Sequence, residues 1–279
     1  MKIALHFLIV TLLSSSLFAY VDSDMDGVED AVDRCPNTSF SDLVDIDGCT
    51  KKSLISPHHY DIIFGASYSA SDYQTLNATD TLAGTLQVDY YYKNFSLQAS
   101  TSYFTTDGSG FSDSGLYDSF VGTSYQFRPT QNFSLRFGVG ALLPTYETTL
   151  NNNNMDYTAN VNLSYNIGKI NLFGGYGYTI INDDNVNVVD VNGTTTSILH
   201  QNTNALSLGL GMNMTPKTYM SMAYNISNSI YTNIEDISTA SVYMYHTIDA
   251  HWFSTLSYAY GLSNSASDHY ASVRLGYFF

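Results

Sequence analysis

From Tyr60 to the carboxy terminus the chain alternates apolar and polar residues in segments of about eleven, the period-two signature of strands with one face in lipid and one in a polar interior. One segment places Leu82, Gly84, Leu86, Val88, Tyr90 and Tyr92 on a single face, and another Phe133, Leu135, Phe137, Val139, Ala141 and Leu143. A third sets Tyr157, Ala159, Val161, Leu163 and Tyr165 against Asn160, Asn162, Ser164 and Asn166. Only the stretch from Ile237 to Thr247 is ambiguous, because both of its faces carry apolar groups. Twelve segments can be counted, and their connections alternate in length. Short turns fall at Lys93-Asn94, Arg128 to Asn132, Gly168-Lys169, Thr215-Pro216-Lys217 and Ile248 to Ala250. Long polar connections fall near 70–80, 106–116, 144–155, 182–202, 229–236 and 262–267. The pattern predicts an all-β chain: a transmembrane antiparallel β-barrel of about 12 strands over residues 58–279, with both barrel ends on the short-turn, periplasmic side. A secreted soluble β-sandwich is the structural alternative.

Charge placement supports the barrel independently. Lys93, Arg128, Lys169 and Lys217 all sit in short turns, whereas the long connections contain no Lys or Arg and are acidic. Composition points the same way: 24 Tyr and 15 Phe against one Trp, with only 13% charged residues, suit a lipid-facing surface with aromatic girdles. A net charge of −15 excludes nucleic acid as a partner, because its phosphates would be repelled. The last strand carries Ala271, Val273, Leu275, Tyr277 and Phe279 on one face, and this terminal aromatic resembles the signal read by the outer-membrane barrel assembly machinery. At the other end, Lys2, the apolar run Ile3 to Leu13 and Leu17-Phe18-Ala19 read as an export signal over residues 1–19. The expected location is the bacterial outer membrane, in contact with its lipid and lipopolysaccharide.

Residues 20–50 form a separate acidic module, followed by a linker over 51–57. Counting Asp22 as the first position of a calcium loop puts Asp24 third, Asp26 fifth, the Val28 carbonyl seventh, Asp30 ninth and Asp33 twelfth. Gly27 takes the sharp turn at the sixth. A hard cation wants six to eight oxygens, and this spacing supplies them, so Ca2+ is the expected cofactor. The two cysteines of an exported chain point to a disulfide. A loop of that size stabilises its module by about 3 kcal/mol in the chain-entropy model. With its Cys35-Pro36 and later Val44 to Cys49, the segment Asp22 to Cys49 resembles a thrombospondin type 3 repeat of the kind found in linkers of outer-membrane protein A-like proteins. The resemblance implies bound calcium, a Cys35–Cys49 disulfide, and Asp45 and Asp47 helping a second ion.

The faces opposite the lipid carry Gln87, Gln98, Gln126, Asn160, Asn162, Asn171, Thr179 and Asn225 with many small residues, a lining that water can occupy. Four charges, Asp61, Asp89, Arg136 and Arg274, fall toward the periplasmic end. They read either as a selectivity constriction or as a salt-bridged network that closes the bore. The expected function is a small channel or porin-like protein passing small solutes or ions, and not an enzyme. A structural or adhesive surface protein is the alternative. A barrel lipid hydrolase is less favoured, because none of His58, His59, His200, His246, His251 and His269 stands in a His-x-Ser arrangement. If the calcium loop is read correctly, Asp24→Ala with Asp26→Ala abolishes a calcium-dependent gain in protease resistance of the segment before Tyr60. An unchanged digestion pattern would refute it.

Overall fold

The computed structural model describes residues 57–72, 78–108, 110–146, 154–189 and 195–279, together with Asp22, Asp24, Val28, Asp30, Asp33, Arg34, Cys35, Thr38, Val44 and Cys49. The expected export signal and the expected ligands Asp26, Asp45 and Asp47 lie outside the described residues. The chain divides into two compact units, Met1–Ile55 and Ser56–Phe279.

In the second unit the alternation becomes strands β1 (His58–Ser71), β2 (Thr79–Tyr92), β3 (Phe95–Gly108), β4 (Phe111–Leu116) and β5 (Ser119–Thr130). Next come β6 (Phe133–Leu143), β7 (Asp156–Ile167), β8 (Ile170–Ile180), β9 (Val186–Val189) and β10 (Thr195–Ile198). The chain finishes with β11 (Thr203–Thr215), β12 (Thr218–Ser227), β13 (Ile237–Thr247), β14 (Trp252–Gly261) and β15 (His269–Phe278). Thirteen of these form one sheet, and since β4 only extends the β3 edge, twelve strands go round the barrel. Closure comes from β1, which pairs antiparallel with β2 on one side and with β15 on the other, from Asp61 opposite Phe278 to Ala70 opposite His269. The Phe279 N–H completes the seam by donating to the Tyr60 carbonyl at 2.9 Å.

Side chains follow the period of two, so alternate residues of each strand face out. Phe64, Leu82, Val139, Leu208 and Met222 are each more than half exposed on that outer face, an arrangement suited only to an apolar solvent. Rings bracket the band. At the turn end Trp252 packs edge-on to Tyr277 (4.8 Å between centroids), Tyr277 to Phe279 (4.7 Å) and Tyr60 against Tyr90 (5.1 Å). At the loop end tyrosine tips find polar partners: Tyr68 donates to Asp80 (2.6 Å), Tyr178 accepts from Asn202 (2.8 Å), and Tyr258 bonds His269 (2.8 Å). Between Tyr60 and Tyr68 the outward residues of β1 are Ile62, Phe64 and Ala66, which spans about 20 Å on tilted strands.

The ambiguous segment resolves as β13, with Val242 and Met244 outward and Tyr243 and Tyr245 inward. Its inner face looked apolar because it brings two tyrosines to the lumen. The connection expected over 106–116 is instead an arm: β3 runs on to Gly108 and β4 folds back along it, pairing Phe111 with Gly108 through Leu116 with Tyr103. The connection between β8 and β11 holds the small hairpin β9–β10.

Two of the short turns pass through the left-handed region, at Lys93 (φ 53°) and Gly168 (φ 58°). The turn before β14 is held by Asp249, whose Oδ1 accepts the N–H groups of His251 and Trp252, both at 2.8 Å. These bonds hold the Asp249 carboxyl below its ordinary range. A depressed carboxylate contributes stability that is present above its unfolded value and lost as pH falls through the folded one. Asp249→Asn is therefore expected to lower the thermal unfolding midpoint in detergent at neutral pH, with the difference from the parent shrinking in acid; a difference that does not change with pH would contradict this account.

Candidate functional site: the barrel lumen

The inside of the barrel is lined rather than packed. Among the described residues the buried apolar side chains are Ile63, Phe104 and Ala266, and no side chain is fully buried. Several inward rings lie flat on the wall because a glycine beside them leaves room. A Cβ on Gly276 would overlap the Phe253 ring, one on Gly209 the Phe173 ring, one on Gly211 the Tyr219 ring, and one on Gly122 or Gly140 the Phe120 ring. Gly276 stands opposite Phe253, and Gly209 opposite Phe173, directly across the ladder. Each ring thus fills the space of an absent side chain instead of the bore.

Near the turn end the inward positions carry charge. Asp61 and Asp89 are register partners on β1 and β2, only 8% and 6% exposed. Asp89 Oδ2 accepts from Gln87 Nε2 (2.8 Å) and, more distantly, from the Tyr91 hydroxyl (3.4 Å). The Oδ1 atoms of both aspartates are buried and accept no hydrogen bond. Arg136 and Arg274 lie within coulombic reach of Asp89. Among the described residues neither guanidinium touches a carboxylate, however: Arg274 donates to Gln87 Oε1 (3.2 Å) and Arg136 to Gln126 Oε1 (3.4 Å). The direct salt-bridged network expected as one alternative is not formed by these four residues; an amide, Gln87, stands between Arg274 and Asp89. Tyr243 and Tyr245 of β13 face the lumen at similar depth, Tyr245 stacked on Phe253 at 5.4 Å. Arg136 is inward yet solvent-exposed.

Farther from the turns the wall of β7, β8, β11, β12 and β13 opens into a recess of about 410 Å³ whose polar lining includes Asn160, Asn162, Ser207, Asn225 and Thr239. At the loop end Asp118 accepts the Tyr146 N–H (3.0 Å) and Asp156 the Asn182 N–H (2.8 Å). Asp183 joins them from the connection after β8. Burial, then the Asp156 carboxylate, pushes its carboxyl above the ordinary range, against the N–H of Asn154 and the nearby His200. The result is an anionic mouth.

In the amino-terminal unit Cys35 and Cys49 form a disulfide, with 5.0 Å between their Cα atoms. Asp24 Oδ2 accepts the Thr38 N–H (2.6 Å) and Asp33 Oδ1 the Cys35 N–H (2.7 Å). Asp33 Oδ2 is buried and accepts no hydrogen bond. An anionic oxygen in that state fits a cation. Among the described residues no three His, Cys, Asp or Glu side chains gather as a metal-holding group.

No protein-family model and no curated protein sequence matches the chain. Its structure is similar to an outer membrane channel from Pseudomonas putida F1, with a TM-score of 0.67 at 11% identity over 85% of this chain and 100% of that one. This is the fold of an outer-membrane channel. A second similar structure is the KdgM porin, with a TM-score of 0.51 at 12% identity over 78% of this chain and 99% of that one. At such identities the likeness concerns the channel fold, not its cargo.

Sequence reasoning placed the four charged residues and set Gln87 and Gln126 on the lumen face, but missed that Gln87 stands between Arg274 and Asp89 and missed the ring-on-glycine pairs. Both need the strand register, since Gln87 and Arg274 are 187 positions apart in the chain. The visible signal was an inward glycine two places from an inward aromatic, as at Phe120 and Gly122. Gly140→Val should turn the Phe120 ring into the bore: the barrel still folds, judged by its heat-dependent mobility on gels, and its single-channel conductance falls by about half or more. Unchanged conductance in a folded variant would show that the ring does not set the free cross-section.

Proposed function

We propose that the barrel conducts ions and small polar solutes across the outer membrane, with the turn end at the periplasm and the acidic loop end outside. The observation that carries this reading is the unfilled interior: among the described residues no side chain is fully buried, and Arg136, inward on β6, is exposed. Twelve strands enclose a bore between those of side-chain-filled eight-stranded barrels and sixteen-stranded porins. The similar channel fold from Pseudomonas putida supports the same reading. A lipid hydrolase finds no such support: His246 Nδ1 bonds the Thr218 hydroxyl (2.9 Å), His251 Nδ1 the Phe278 carbonyl (3.0 Å) and His269 Nδ1 the Tyr258 hydroxyl (2.8 Å).

Asp61, Asp89, Arg136 and Arg274 act as the selectivity zone in this proposal. With Gln87 between Arg274 and Asp89, and Arg136 turned to the Gln126 carbonyl, they keep charge of both signs beside the bore instead of cancelling it in contact pairs. The amino-terminal unit is assigned Ca2+, held by Asp22, Asp24, Asp26, Asp30, Asp33 and the Val28 carbonyl, with Asp45 and Asp47 toward a second ion. Its support is the loop spacing and the buried Asp33 Oδ2, which accepts no hydrogen bond. Bound calcium would neutralise these carboxylates and, with the disulfide, stiffen the unit.

Planar-bilayer recording of the folded full-length chain tests the channel. Discrete conductance steps are expected, and Asp61→Asn with Asp89→Asn, which leaves the two arginines, shifts the reversal potential in a salt gradient toward anion preference. The absence of steps over a range of salts would sink the proposal.

A further inference from the structure

We infer that the recess in the lumen wall between β7 and β13 is a binding subsite for a neutral, hydroxyl-rich solute of mono- to disaccharide size. The inference rests on the channel reading and names the class of cargo that this wall selects. Its volume, about 410 Å³, falls among small-ligand pockets, which run from about 300 to 1,000 Å³. No charged side chain lines it; the polar groups are the amides of Asn160, Asn162 and Asn225 and the hydroxyls of Ser207, Ser227 and Thr239.

The amides are arranged with capacity to spare. Asn162 Nδ2 donates to Asn160 Oδ1 at 3.0 Å, which leaves the Asn160 amino group and the Asn162 carbonyl for another partner. Asn225 Nδ2 donates to the hydroxyls of Thr239 (3.3 Å) and Ser241 (3.0 Å), which leaves the Asn225 carbonyl. Glycines let these groups lie close against the wall. A Cβ at Gly175 would collide with both Asn162 Oδ1 and Ser207 Oγ, so those two atoms converge above it, and a Cβ at Gly138 would meet the Asn160 amide. Spare carbonyls and an amino group side by side match a hydroxyl, which donates and accepts at once. They offer a carboxylate mostly acceptors, and the cation beside them, Arg136 across the ladder from Asn162, is turned to the Gln126 carbonyl. The anionic mouth at Asp118, Asp156 and Asp183 disfavours an acidic solute further.

Maltose is the probe, with galacturonate as the charged control, and binding is read by saturation-transfer NMR on the full chain folded in detergent. Maltose is expected to bind and galacturonate to bind more weakly. Asn160→Ala, Asn162→Ala and Asn225→Ala should each weaken maltose binding by about three- to tenfold. Asn171→Ala, whose side chain is engaged by Ser164 and Asn166 near the turns, should leave it unchanged. Equal binding by all four variants, or preference for galacturonate, would overturn the inference. The micelle measurement does not depend on conduction, so potassium chloride steps without maltose binding would remove the subsite alone. Maltose binding that is lost in the asparagine variants, with no steps, would keep the subsite and remove the channel.

Discussion

Everything in this molecule follows from the need to satisfy backbone N–H and C=O groups where no water is present. A strand in hydrocarbon must have a partner on each side, and the only sheet without an edge is one that meets itself. The β1–β15 seam therefore carries more than its share of ten register pairs: opening it would expose two rows of polar backbone to lipid at once. Once the sheet is closed, the alternation of side chains has a fixed meaning. One set of residues dissolves in the membrane, and the other must form an interior that twelve strands make too wide to fill with ordinary side chains.

That interior is organised by what it lacks. Glycines admit rings to the wall, Gln87 stands between ions of opposite sign, and the amide recess begins at the level of Arg136, which faces Asn162 across the ladder. A guanidinium that reaches an amide oxygen keeps its charge visible to the lumen, whereas one locked on a carboxylate would be largely spent. The two rims differ as well. Short turns carry the lysines and the Asp249 cap, while the opposite rim is long, acidic and includes the projecting β3–β4 arm.

Most of the fold was legible in the sequence because it depends on a local rule of period two and on the lengths between strands. Tyr157 to Tyr165 and Leu82 to Tyr92 declare their faces without any knowledge of neighbours. β13 did not, since Tyr243 and Tyr245 are apolar by composition but line a polar bore with their hydroxyl-bearing rings. The β3–β4 arm was hidden for a related reason: Asp107, Gly108, Gly110 and Asp113 look like a loop, yet the pairing continues past the membrane, where polar residues suit both faces. In the lumen the charged residues were visible from strand parity, whereas Gln87 between Arg274 and Asp89 depends on how three strands are aligned. In the amino-terminal unit the calcium-loop spacing was the whole signal.

The ring-on-glycine pairs have a consequence for assembly. Binary alternation penalises a strand that slips by one residue, since every side chain then changes faces, but it is nearly blind to a slip by two. A two-residue shift of β15 against β14 would bring Phe253 opposite Arg274 or Phe278 instead of Gly276, and the same shift of β11 against β8 would move Phe173 off Gly209. Phe253 has one berth without a Cβ, whereas Phe173 has a second at Gly211, which the Tyr219 ring already fills. The glycines thus serve as index marks that distinguish the even registers from one another and fix how far each strand slides before the barrel closes.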